Sequence, residues 1–168
     1  GYERSRLISY MGHAPELISD SIRENIQLGE QGDIVRYLQA VCFDEEVAQM
    51  PQGADTLVGS SGTRLSGGQQ ARAALARTFY NARQILILDD PFSAVDKTTE
   101  KEIFKSLRIL AQDKIVILIS HRLYLFPTLD KVLFLDKGTG VFSTHKELMQ
   151  ENYIYAKLYN SQMAGEQN

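Results

Sequence analysis

Ile85-Leu86-Ile87-Leu88-Asp89-Asp90 is an unbroken apolar run closed by two carboxylates. A run so short and so rich in β-branched residues predicts a strand buried on both faces, as in a parallel α/β sheet. Residues 115–119 (Ile-Val-Ile-Leu-Ile) and 132–135 (Val-Leu-Phe-Leu) have the same texture. Between the first two runs, residues 98–112 read as a helix. Ile103, Leu107 and Leu110 line one side of it, and Thr99 with Glu102 has the spacing of a capping box. Strand, about a dozen helical residues, strand is the crossover unit of a parallel sheet.

Upstream the texture changes. Residues 19–81 read as several helices opened by capping signals: Ser21 with Glu24, Asp44 before Glu45-Glu46, and Ser66 with Gln69. Pro51-Gln52-Gly53 is a turn and Gly59-Ser60-Ser61-Gly62 a loop. The pattern predicts a helical subdomain inserted between strands of an α/β core. From Thr144 the tail is helical again, opened by a Thr144/Glu147 capping pair, and no internal repeat or low-complexity tract occurs.

Composition narrows the function classes. The 168 residues suffice for one ordinary domain, and 43% of them are hydrophobic, which argues against wholesale disorder. A net charge of -3 with both signs interleaved argues against a nucleic-acid binder, which usually carries a basic face. The single Cys42 can form no internal disulfide. Its neighbours Val41 and Phe43 predict a buried thiol in a reducing compartment. No apolar stretch approaches the roughly 18 to 20 residues of a membrane helix, and the first ten residues lack the apolar core of a signal peptide. The start at Gly1 rather than Met suggests a piece of a longer protein.

Two stretches carry candidate chemistry. Ser66-Gly67-Gly68-Gln69 opens the helix that runs on through Ala71, Ala74, Leu75 and Ala76. Paired glycines at a helix start permit close backbone approach and leave N–H groups unpaired. With the helix dipole and the Ser66 hydroxyl, they form an anion site. The plain alternative is a Gly-Gly turn capped by Ser66. Asp89 and Asp90 end a strand on the side where parallel sheets hold ligands. A carboxylate there suits a magnesium ion, which takes one or two protein oxygens and keeps most of its waters. The plain alternative is an aspartate capping the next helix. Asp96 before Lys97 is likewise a good N-cap, and a lone His121 after a strand has no chemistry of its own.

Taken with Leu65 before it and the Ala/Arg-rich helix after it, the run Leu65-Ser66-Gly67-Gly68-Gln69 resembles the signature motif of ATP-binding cassette proteins. The six residues from Ile85 resemble that family's Walker B. This likeness implies Asp89 as magnesium ligand and Asp90 at the place of the catalytic glutamate. Ser93-Ala94-Val95-Asp96 is similar to the D-loop, which in the family reaches across the dimer interface, so Ser93 and Asp96 are expected to serve the nucleotide site. His121 matches the switch histidine that contacts the γ-phosphate. Tyr10-Met11-Gly12-His13-Ala14-Pro15 resembles the Q-loop, with His13 as cofactor and metal contact. Residues 21–26 (Ser-Ile-Arg-Glu-Asn-Ile), the Thr144-His145-Lys146-Glu147-Leu148 run, and Tyr155 with Leu158, Tyr159 and Gln162 resemble exporters.

The resemblance implies a partial P-loop NTPase (RecA-like) core with an inserted α-helical signature subdomain. It divides into a Q-loop segment at 1–17, the helical subdomain at 18–81, an α/β core at 82–145 with Walker B, D-loop and H-loop, and a C-terminal helix and tail at 146–168. It further implies an ATPase of an exporter, with ATP and Mg2+ as cofactors. The implied partners are a second cassette and a transmembrane domain, with no nucleic acid, on the cytosolic side of a membrane.

Departures from the family pattern sharpen this expectation. No G-x-x-x-x-G-K-[ST] occurs, and no Gly-Lys pair at all. That loop supplies the N–H cradle and lysine for the phosphates, and in the family it precedes the Q-loop. This chain alone is therefore expected to hold ATP poorly and to be inactive. Asp90 stands where the family has glutamate. One methylene less draws the carboxylate back by about 1.5 Å, and a misplacement of about 1 Å can cost about 100-fold in rate. His13 stands where the family has glutamine, and Ser60 where exporters often have glutamate. Residues 65–69 are intact while Walker B and the Q-loop are altered, the pattern expected of the degenerate half of a heterodimeric exporter. In that case Asp90→Glu in the intact protein is expected to raise hydrolysis at this site several-fold. A nucleic-acid-acting cassette and a non-enzymatic interaction module are the competing classes. The first is disfavoured by the acidic balance and the exporter-like segments; an upstream Walker A with about six membrane spans would argue against the second.

Overall fold

The computed structural model describes residues 7–59 and 62–165; the loop position Ser60 lies outside them. The chain forms two compact units, one ending at Ile119 and one beginning at Ser120.

In the first unit, β1 (Ile8–Met11), β2 (Ile85–Asp89) and β3 (Ile115–Ile119) make a parallel sheet in the order β1-β2-β3. The register pairs Tyr10 with Ile87 and Ile87 with Ile117. Between β1 and β2 lie four helices, α1 (Ile22–Gln27), α2 (Val35–Ala40), α3 (Asp44–Ala48) and α4 (Gly67–Tyr80). They are the inserted helical subdomain that the sequence predicts. Helix α5 (Lys97–Leu110) is the crossover from β2 to β3. The core gathers Ile22, Ile26, Phe43, Leu75, Leu88 and Ile103, none more than 1% exposed.

Local chemistry explains most of the helix ends. The Ser21 hydroxyl accepts from the Glu24 amide at 3.0 Å, opening α1 as expected. One cap differs from the sequence reading, and at α5 the structure takes one of the two caps that the sequence offers. Asp44 lies inside the first turn of α3, whose cap position is Phe43 and makes no side-chain bond. Helix α5 is capped by Asp96, which accepts from the amides of Thr98 and Thr99 at 3.0 Å each. Thr99 thus falls within the helix, and Glu102 pairs instead with Lys105 at 2.7 Å. Cys42 is half-buried rather than buried, in a left-handed conformation at φ 52°. Burial is the main cause that pushes its thiol above the ordinary range.

The sheet departs from the two-sided burial expected of it. Leu86 and Leu88 are buried, but Tyr10, Ile115, Ile117 and Ile119 are between 46% and 61% exposed. Paired residues of a parallel sheet point the same way, so these side chains share one face. Among the described residues that face is open.

In the second unit, a 3-10 segment (Leu123–Thr128) leads into β4 (Val132–Asp136) and β5 (Thr139–Ser143). The sequence reading puts residues 132–135 in a parallel sheet; here they form an antiparallel hairpin, with Leu133 and Leu135 exposed. The reason is local. Lys137 and Gly138 both have positive φ, at 46° and 81°, the backbone of a two-residue type I′ turn. Helix α6 (His145–Glu151) opens with the full Thr144/Glu147 capping box, and α7 (Tyr153–Gly165) follows. Val132, Leu148 and Tyr155 form this unit's core. Burial raises the Tyr155 phenol to about 12, and its oxygen lies 2.7 Å from His145 Nδ1.

Candidate functional site

Strand β2 delivers both of its carboxylates at its carboxyl end. The Asp90 amide donates to the Ile119 carbonyl at 2.8 Å, carrying the ladder one residue past the strand. Its backbone then turns at φ 47°, a left-handed conformation that aspartate tolerates better than most residues. The Asp90 carbonyl accepts from the Ser93 amide at 3.2 Å, and Phe92 anchors the turn with 1% exposure. Both carboxylates have a neighbour from the end of β1. The Tyr10 hydroxyl donates to Asp89 Oδ2 at 3.3 Å. His13 Nδ1 lies 3.5 Å from Asp90 Oδ2, with the imidazole 65% and the carboxylate 13% exposed.

Helix α4 starts on a complete capping box. The Ser66 hydroxyl accepts from the Gln69 amide at 3.2 Å, and Gln69 Oε1 accepts from the Ser66 amide at 2.9 Å. Leu65 is buried beneath it, while Ser66 and Gly67 are exposed. A Cβ on Gly68 would stand 3.0 Å from the Ala94 carbonyl oxygen, so glycine lets the helix start approach the 93–96 turn. The structure thus brings residues 65–69 against the turn that carries Ser93 and Asp96. Hydrogen bonds from the side chain and backbone of Thr99 hold the Asp96 carboxyl below its ordinary range.

Some supporting residues were not legible in the sequence. Glu46 of α3 accepts from Gln69 Nε2 at 2.8 Å and pairs with Arg72 at 2.7 Å. Burial raises its carboxyl, but the bonds from Arg72 and Gln69 outweigh that and hold it below its ordinary range. Arg77 donates to the carbonyls of Glu16 and Asn25 and to Asn25 Oδ1 at 2.8–3.1 Å, tying α4 to the segment after β1. No local pattern announces these contacts, because the partners are 23 to 61 residues apart. His121 is exposed and belongs to the second unit, where its carbonyl accepts from Gln162 Nε2 at 2.8 Å. Gln162 Oε1 also accepts from the Leu123 amide at 3.1 Å, so α7 fastens that loop at two points.

The donor set at the end of β2 fits a hard divalent cation. Asp89 offers carboxylate oxygen, and a magnesium ion takes one or two protein oxygens and keeps most of its waters.

A parallel sheet with a helical insertion, a glycine-opened helix start and a strand ending in two carboxylates define an ATP-binding cassette. The chain belongs to the ABC transporter family, whose model matches residues 3–93. It is 36% identical over 166 residues to the lactococcin transport/processing ATP-binding protein LcnC-like of Lactococcus lactis subsp. lactis, covering 95% of this chain and 23% of that protein. It is 39% identical over 150 residues to the ATP-dependent lipid A-core flippase of Burkholderia thailandensis, covering 87% of this chain and 25% of that one. The structure of a bacterial Atm1-family ABC exporter with ATP bound matches with a TM-score of 0.87 and 31% identity, over 95% of this chain and 29% of that one. The chain spans about a quarter of the length of the curated relatives it matches.

Proposed function

We propose that this chain is part of the nucleotide-binding domain of an exporter, acting as the slow half of a heterodimeric pair of cassettes. The observation that carries this reading is the contrast between two sites on one unit. The signature helix start is complete, capped and exposed, while the neighbouring catalytic position holds Asp90 beside His13.

Each residue then has a role. Asp89 would hold the magnesium ion. Asp90 serves the attacking water, and His13 borders Asp90. His121, in the second unit, takes the switch-histidine role toward the γ-phosphate that the family resemblance implies. Leu65 supports Ser66, Gly67, Gly68 and Gln69; the capping box occupies the Ser66 and Gln69 amides, and the Gly67 and Gly68 amides with the Ser66 hydroxyl serve the nucleotide held by the partner cassette. Ser93 and Asp96 reach across to that partner. A magnesium ion held there with ATP would neutralise the charge on the transferring phosphoryl group. Asp90, one methylene shorter than glutamate, orients the water poorly, so this site turns over slowly. The transmembrane domain of the same transporter is the further partner, on the cytosolic side of the membrane.

The test uses the full-length transporter with its partner. Gly68→Asp is expected to cut steady-state ATP hydrolysis about 100-fold, on the scale of losing a main transition-state contact, because it spoils the partner's competent site. Asp90→Asn is expected to leave most of the hydrolysis intact. Equal losses would mean that this chain's own Walker site carries the turnover, and the reading would fall. For the 168-residue chain alone, calorimetry with Mg-ATP should show no binding up to millimolar nucleotide. Micromolar binding would reveal a phosphate cradle other than the family's glycine-lysine loop.

A further inference from the structure

The two departures at the catalytic end of β2 touch each other. His13 Nδ1 stands 3.5 Å from Asp90 Oδ2, and each residue occupies a position where the family carries something longer or different. The Asp90 backbone is held from both sides: its amide by Ile119 and its carbonyl by Ser93. With φ at 47°, that clamp fixes where the short carboxylate begins, leaving only its side-chain torsions free. The acid is 13% exposed and the imidazole 65%. Tyr10 donates to Asp89 from the end of β1, so each carboxylate has a neighbour from that strand end or the segment just after it.

We propose that His13 is a positioning residue for Asp90: it holds the carboxylate toward β1 and away from the attacking water, so the two departures act as one unit that keeps this site slow. The inference rests on the slow-site reading above. Its substance is a coupling. Lengthening the acid restores only part of its reach while the imidazole still holds it, and removing the imidazole leaves an acid too short to arrive. Together the two changes free a carboxylate of full length.

The experiment is a four-member cycle in the full-length transporter with the partner's competent site silenced: wild type, His13→Gln, Asp90→Glu, and both. Single-turnover hydrolysis at this site is expected to rise several-fold for Asp90→Glu and less than about twofold for His13→Gln. For the double variant it should exceed the product of the two by about fivefold, as for residues in contact. The change should lie in kcat with KM for ATP unmoved. His13→Asn, whose amide nitrogen can occupy the Nδ1 position, should show a smaller coupling to Asp90→Glu than His13→Gln does. A readout independent of turnover is the Nδ1 resonance of His13 in nucleotide-free, 15N-histidine-labelled protein. Assigned by its absence in His13→Gln, it should shift on Asp90→Asn.

A double variant equal to the product of the singles, or an Nδ1 resonance unmoved by Asp90→Asn, overturns the pairing. If the contrast between Gly68→Asp and Asp90→Asn persists in that case, the slow-site reading stands without it. If Asp90→Glu changes nothing and that contrast is also absent, both ideas fall together.

Discussion

Ser66 does two separable jobs, and its structural one can be measured without nucleotide. Its hydroxyl satisfies the Gln69 amide, one of the four N–H groups that a helix start leaves unpaired. Ser66→Ala is expected to lower unfolding free energy by about 1 kcal/mol, read as a shift of the urea midpoint with unchanged slope. Glu147 offers a second test through pH. Hydrogen bonds from the Ser143 hydroxyl, then from the Thr144 amide and hydroxyl, hold its carboxyl down at about 2 against an ordinary 4.5. A folded value below the unfolded one means the stabilisation is complete above the ordinary value and is lost as pH falls toward about 2. Thermal melts should therefore drop more steeply between pH 5 and pH 2 for the wild type than for Glu147→Gln. Parallel curves would mean that the box contributes nothing through charge.

At the scale of elements, the tie that matters most runs from α4 to the segment after β1. Asn25 is fully buried and takes two bonds from Arg77, one at its carbonyl and one at its side-chain oxygen. Its amide in turn donates to the carbonyls of Ile18 and Ser21. Removing the guanidinium takes the Arg77 donor from the carbonyl of buried Asn25 and leaves its Oδ1 with only the Ile18 amide. Arg77→Ala is accordingly expected to destabilise by about 2 to 3 kcal/mol. Arg77→Lys should recover less than half of that, because an ammonium cannot serve three acceptors in a fork. Chemical denaturation of the pair measures both. Full recovery by lysine would show that charge, not fork geometry, holds the elements together.

At the scale of the whole molecule, the sheet's two faces predict opposite responses. Leu88 has no exposed surface, and Leu88→Ala should cost about 2 to 5 kcal/mol through transfer and cavity terms. Ile117 is 46% exposed on the open face, and Ile117→Thr keeps its β-branch. It should change stability, read by urea denaturation, by less than about 1 kcal/mol. A large loss at Ile117 would show that the face is covered in solution.

The α/β class, the crossover α5, the helical insertion and the capping boxes at Ser66 and Thr144 were legible in the sequence. Each depends on residues within a few positions of one another, where periodicity and hydrogen-bond spacing act directly. For α5 the sequence offers both Thr99 and Asp96, whose spacings satisfy the same local rule, and the structure caps the helix at Asp96. The antiparallel pairing of residues 132–136 had a local signal too, in Lys137-Gly138, but an apolar run alone does not reveal its partner strand. The open face of β3, the Glu46 clamp on Gln69, the Arg77 tie and the approach of His13 to Asp90 were decided by tertiary structure alone. They join residues tens of positions apart, and which distant side chains meet is set by how the elements pack, a property no single stretch of sequence contains.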